Sequence, residues 1–101
     1  MRKIQPAVRA FLQITFQIQP PQREEAITRS YLPHQQRFLD RSEGGVSMDW
    51  LARAEDVQLL LGFDTVEHAQ AFQKSPAGRE LVAAFSSYAN TKPQSALYTV
   101  D

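Results

Sequence analysis

Cysteine is absent from the 101-residue chain, which excludes disulfides, thiolate metal sites and a cysteine nucleophile. Glycine is scarce, and the adjacent pair Gly44-Gly45 leads into a strand pattern, not a helix, so there is no phosphate-cradling loop. The two histidines, His34 and His68, stand at no regular ligand spacing and do not make a metal site. Nothing marks one serine as activated, so no Ser-His-Asp arrangement is suggested. An excess of either charge is also missing. Eleven Lys and Arg balance eleven Asp and Glu, and without a basic cluster nucleic acid is excluded as the main partner. Finally, there is no long apolar run. Met1-Arg2-Lys3 is followed by Gln5, Pro6, Arg9, Gln13 and Gln17, which rules out a signal-peptide core and the roughly 20 apolar residues of a membrane span. The expectation is a cytoplasmic protein with no membrane partner.

What is present is an ordinary globular composition, 43% hydrophobic and 10% aromatic in 11.5 kDa. That is enough for one domain, placed at residues 11–101 after an N-terminal extension over 1–10. No repeat, low-complexity tract or linker divides it. A chain of this size buries only somewhat over about 60% of its unfolded surface, so an oligomeric partner would help it.

From Phe11 to Gln19, Leu12, Ile14, Phe16 and Ile18 alternate with Gln13, Thr15, Gln17 and Gln19. This period of two predicts a strand with one apolar and one polar face. Pro20-Pro21 ends it and starts a helix over 22–41. Ile27, Tyr31 and Phe38 share one face of that helix, and Pro33 predicts a kink near Ser30 to Pro33. After the turn Glu43-Gly44-Gly45, the segments Val46–Arg53 and Val57–Phe63 flank a short polar break and read as a hairpin. Asp64 and Thr65 are both good caps for a helix from about Val66, which Ser75-Pro76 interrupts and which resumes through Leu81, Phe85 and Tyr88. Ser95 to Val100 is a last short strand.

The order β-α-β-β-α-β is the split arrangement of the ferredoxin-like α+β fold, a four-stranded antiparallel sheet with both helices on one face. The other face carries Gln13, Thr15 and Gln17. It is either solvated, as antiparallel sheets allow, or joined sheet-to-sheet with a second copy around a small cavity. The homodimer is the expectation.

This strand order, the length and the segment from Asp64 to Pro76 (DTVEHAQAFQKSP) resemble the dimeric α+β-barrel superfamily, closest to its antibiotic-biosynthesis-monooxygenase-like branch. The resemblance covers most of residues 11–100. It implies a homodimer with a ligand cavity, and in some members cofactor-free oxygenation or haem degradation. Phe63 stands where many members have Trp, Phe72 where they have His before the Ser-Pro break, and no first-strand Asn has a counterpart among Gln13, Thr15 and Gln17. These departures argue against haem degradation, and no matched residue set supports oxygenation. The stretch Tyr31 to Leu39 (YLPHQQRFL) also resembles YCII-related and muconolactone-isomerase-like proteins. There, the resemblance implies a pairing of His34 with Asp49.

His34 lies seven residues after Ile27 and four before Phe38, so it continues the apolar stripe and should point toward the sheet, placed to act as a general base. The alternative is that the Pro33 kink turns it outward. Asp49 and Arg53 share a strand face opposite Trp50. They either hold an acid or carbonyl group of a ligand or form an interface or surface ion pair. His68, one turn before Phe72, is either a second proton-transfer group or a surface residue of the helix start. Gln13, Thr15, Gln17 and Tyr98 would line the cavity with hydrogen-bonding groups. The expectation is a small-molecule enzyme acting without a cofactor on a phenolic or quinone-like compound, with His34, His68 and Asp49 as catalytic candidates. Binding would fall to Arg53, Gln13, Thr15, Gln17 and Tyr98. A ligand-binding or interaction module with the same cavity is the competing reading, because one fold hosts many functions.

Overall fold

A computed structural model describes residues 8–100. Its elements are β1 (Ala10–Gln17), α1 (Pro20–Ala26), a π-helical turn (Ile27–Tyr31), α2 (Leu32–Arg41), β2 (Gly45–Arg53), β3 (Asp56–Phe63), α3 (Val66–Lys74), α4 (Pro76–Ser86) and β4 (Gln94–Thr99). The strands form one antiparallel sheet in the order β2-β3-β1-β4. This is the ferredoxin-like arrangement expected, with each crossover helix broken in two.

The alternation in β1 decides which face is covered. Leu12, Ile14 and Phe16 are buried under the helices, and the register places Leu61, Leu59 and Val57 of β3 beside them. Met48 of β2 lies next to Leu61 on the same side. Phe85 of α4 and Phe38 of α2 close the core from above, with ring centroids 5.3 Å from Phe16 and Phe63 respectively. Full burial of each such side chain is worth about 1.5–3 kcal/mol.

The kink expected at Ser30–Pro33 takes the form of the π-turn. Pro33 lacks an N–H and its ring would crowd the carbonyl four residues back, and the wider turn immediately before it relieves that conflict. Beyond it, Tyr31 and Gln35 reach the edge strand. The Tyr31 hydroxyl donates to the Met48 carbonyl at 2.9 Å, and Gln35 Nε2 donates to the same oxygen at 2.8 Å. A free carbonyl on edge strand β2 is thereby occupied.

At the second helix, Thr65 is the cap, its hydroxyl accepting from the His68 N–H at 3.0 Å. Ser75 caps α4 in the same way, accepting from the Gly78 N–H at 3.0 Å. The expected first strand is two residues shorter at its end, because the Ile18 N–H turns to the Glu55 carbonyl. Residues 1–7 of the expected N-terminal extension lie outside the described residues, and Arg9 already pairs with Phe63 and Val100. Among the described residues no helix is long and apolar enough to cross a membrane.

The β2–β3 hairpin turns at Ala54-Glu55, with Ala54 in the left-handed region at φ 51°. An L-residue with a Cβ pays roughly 1–2 kcal/mol there, which glycine avoids at an entropic cost of about 0.5–1 kcal/mol. Ala54→Gly should therefore raise stability by up to about 1 kcal/mol in urea unfolding; a loss of stability would show that the turn is not strained.

Candidate functional site

The sheet sorts the candidate residues into two groups that do not meet. On the face without helices, β2 presents Asp49 and Arg53, β1 presents Gln13, Thr15 and Gln17, and β4 presents Tyr98. Gln13 Nε2 donates to Gln58 Oε1 of β3 at 2.9 Å. Thr15 and Gln17 border one hollow of 350 Å³ and Arg53 another of 350 Å³, with Asp56 shared between them. Among these polar groups stand Phe11, Leu60, Leu51 and Tyr98, the last two half exposed. Asp49 and Arg53 share the face as expected, and Trp50 points the other way, with its ring 5.4 Å from Tyr31 and 6.1 Å from Phe85.

His34 belongs to the covered side. Its ring faces α4, 6.5 Å from Phe85, where the sequence suggested it would face the sheet. Tyr31 and Gln35 take the edge of the helix face directed at β2, and His34, about 100° round the same helix from Gln35, takes the edge directed at α4. It borders a cleft of 30 Å³ together with Arg37, Phe38, Phe72, Glu80 and Leu81. Burial pushes the His34 pKa below 6.5, the Arg37 charge adds to that, and Glu80 opposes it. The imidazole is therefore held neutral and able to accept a proton near pH 7. The expected His34–Asp49 pair is not formed, because Asp49 is on the open face of β2 and the charged groups acting on His34 are Arg37 and Glu80.

Among the described residues His68, unlike His34, has a carboxylate partner. Its Nδ1 lies 2.6 Å from Asp64 Oδ1, and its Nε2 lies 3.4 Å from Glu43 Oε1. The hydrogen bond to Asp64 raises its pKa above 6.5, aided by the charges of Asp64 and Glu43. Gly44 makes the arrangement possible. It adopts φ 75°, and a Cβ there would collide with the His68 ring and the Asp64 carboxylate. The Asp64 N–H also donates to the Gly44 carbonyl at 2.9 Å. His68 borders a groove of 220 Å³ with Arg41, Ser42, Glu43, Phe72 and Ser75. The sequence carries a signal for this pairing: Asp64 and His68 stand four apart at a helix start, and Thr65 takes the capping role. Phe72 borders both the cleft and the groove, a placement that no sequence spacing signals. Among the described residues no group of three or more acidic or histidine side chains is arranged to hold a metal ion.

The two histidines should titrate apart. In histidine-detected NMR, His34 should show a midpoint below 6.5 and His68 one above it. A group whose folded pKa is raised stabilises the fold below its unfolded value and loses that contribution as pH rises through the folded one. The urea midpoint of the wild type should therefore fall relative to His68→Gln as pH is raised from below 6.5 through the His68 midpoint. A pH-independent difference would mean that the Asp64 contact does not form in solution.

No protein-family model and no curated protein matches the sequence. Solved structures do match in three dimensions. The monooxygenase ActVA-Orf6 of Streptomyces coelicolor, solved with the ligand nanaomycin D, superposes with a TM-score of 0.74 at 18% identity, over 93% of this chain and 88% of that one. A conserved protein of Methanosarcina mazei Go1 gives a TM-score of 0.74 at 12% identity, over 93% and 94% of the two chains. A Caulobacter crescentus CB15 protein assigned by name to the antibiotic biosynthesis monooxygenases gives 0.73 at 10% identity, over 96% and 93%. The chain has the fold of the antibiotic-biosynthesis-monooxygenase-like structures.

Proposed function

We propose that this protein is a small-molecule enzyme of the antibiotic-biosynthesis-monooxygenase type, working as a homodimer and oxidising a phenolic or quinone-like compound without a bound cofactor. The observation that carries the reading is His34, an imidazole kept neutral by burial and by Arg37 beside the apolar cleft formed by Phe38, Phe72 and Leu81. A neutral imidazole can take the proton of a phenolic hydroxyl and leave an electron-rich phenolate for dioxygen. One oxygen atom then enters the ring as a carbonyl and the other leaves as water, with the substrate supplying the electrons and both hydrogens of that water. The fold shared with ActVA-Orf6 supports this class of chemistry by analogy.

The homodimer would use the open sheet face. Phe11, Leu51, Leu60 and Tyr98 supply apolar area to it, and the Gln13–Gln58 hydrogen bond satisfies two amides that would otherwise be desolvated. In such a pair Asp49, Arg53, Thr15 and Gln17 would lie in or around the space between the sheets. Light scattering should give a mass of twice 11.5 kDa, and Leu51→Glu, which puts a charge on that face, should shift it to the monomer. A wild-type monomer would remove the interface.

One observation favours a ligand-binding module instead. The rings of Phe38, Phe63 and Phe72 pack against one another at centroid separations of 5.3–5.7 Å and occupy much of the layer between helices and sheet. Oxygen uptake with 1-naphthol separates the two readings. The enzyme should consume one dioxygen per 1,4-naphthoquinone formed, and His34→Ala should lower the rate about 10²-fold or more. Binding of 1-naphthol without oxygen uptake would overturn the enzyme in favour of the module.

A further inference from the structure

The cleft beside His34 holds 30 Å³, space for about one water and far below the roughly 300 Å³ at which small-molecule pockets begin. The groove beside His68 holds 220 Å³. The two are not independent hollows: Ser42, Phe72 and Ala77 border both. Ser42 and Ala77 are small, so the Phe72 ring is the bulk that divides them.

From this geometry we propose that the His34 cleft and the His68 groove are the two ends of one ligand site, divided at its waist by the Phe72 ring. The ligand is a planar compound of two fused rings, with an acidic hydroxyl at the His34 end and a carbonyl acceptor at the His68 end. Together the two spaces approach the lower limit for a small-molecule site, which neither reaches alone. Apolar walls for the rings come from Phe38, Leu81 and Phe72 itself. The two ends differ in chemistry. Among the described residues no carboxylate hydrogen-bonds His34, whose ring borders the apolar cleft and offers an acceptor nitrogen there, whereas Asp64 holds Nδ1 of His68 and leaves its Nε2–H facing Glu43. The present partner of that N–H is Glu43, whose side chain is 88% exposed at 3.4 Å and is readily displaced by a carbonyl oxygen.

This proposal rests on the small-molecule reading above and narrows its substrate. It assigns Phe72 as the residue that sets ligand size. The backbone here is held, because the Phe72 carbonyl accepts from both the Ser75 N–H at 3.0 Å and the Ser75 hydroxyl at 2.7 Å, so any adjustment to ligand size falls to the ring. The side chain keeps 9% exposure, the highest among the buried aromatic residues of the core.

The test uses 6-hydroxy-1-tetralone, a two-ring compound with a phenolic hydroxyl and a carbonyl at opposite ends that is stable to oxygen. Added to histidine-labelled protein, it should shift the imidazole signals of both His34 and His68 with one common midpoint, saturating at one equivalent per chain. Phe72→Leu, which keeps an apolar side chain but shortens it, should improve binding of the three-ring 2-hydroxyanthraquinone about tenfold, and Phe72→Trp should weaken the tetralone by a similar factor. A shift at one histidine alone, two different midpoints, or no binding up to the solubility limit would overturn the joined site. Its failure and that of the oxygenase reading are separable. Tetralone bridging both histidines while 1-naphthol is not oxidised keeps the site and rejects the oxygenase, and turnover with only one histidine responding does the reverse.

Discussion

The strict alternation along β1 is the constraint on which everything else depends. β1 is paired on both sides, to β3 and to β4, and Leu12, Ile14 and Phe16 must all face the helices. A slip of one residue would bring Gln13, Thr15 and Gln17 into the core, so the register is fixed by the cost of burying unpaired amides. Once β1 is fixed, β3 presents Val57, Leu59, Leu61 and Phe63 to the same side, and Asp49 and Arg53 are forced to the other. The polar candidates of the sheet and the two histidines are thus separated by the sheet itself. Any mechanism that needs them on one substrate in one protomer is excluded by this parity, including a proton relay between His34 and Asp49.

That parity was legible in the sequence because strand alternation is local. The order of elements, the breaks at Ser30–Pro33 and Ser75-Pro76 and the sidedness of Trp50 against Asp49 follow from the same kind of local signal. The direction of His34 was not legible, and the reason is physical. Tyr31 and Phe38 are buried as their spacing predicts, and His34 and Gln35 lie on the two edges of that same face, within about 100° of each other. Which edge meets the sheet and which meets α4 is set by the neighbouring elements, and spacing along one helix carries no such information. Tyr31 and Gln35 then close on the Met48 carbonyl, and His34 faces Phe85 across the helix pair. Burial and the contact with Gln35 place the Tyr31 phenol among the structural groups. Its pKa is raised, chiefly by desolvation and then by Asp49, with the hydrogen bond to Gln35 acting against this, so it stays protonated and donates.

The environment of His68 is a different case, in which the residues were visible and their division of labour was not. Asp64 and Thr65 are both good caps by type. Thr65 fills the role because its hydroxyl reaches the His68 N–H, and Asp64 is then free to hold the ring of the same residue. Gly44 completes the cluster from the preceding turn, where the left-handed backbone and the absence of a Cβ are both required. The outcome is a pair of imidazoles on one side of one sheet whose pKa values are pushed in opposite directions.

The corner between α3 and α4 fixes the backbone at Phe72, the residue whose ring borders both the His34 cleft and the His68 groove. Ser75 serves as the C-terminal end of one helix and the cap of the next, so two hydrogen bonds from a single residue meet the Phe72 carbonyl. Gly78 sits directly over that carbonyl, and any Cβ there would strike it, so the corner closes tightly only with glycine at this position. The ring, by contrast, is held by edge and tilted contacts to Phe38 and Phe63, each worth about 0.5–1.5 kcal/mol. A ligand ring that stacked in the same place could replace contacts of that size, whereas moving the backbone would cost the two hydrogen bonds and the packing of Gly78. Adjustability at this corner therefore resides in one side chain. Phe72 sits where a rotation of one ring would alter both the cleft beside His34 and the groove beside His68.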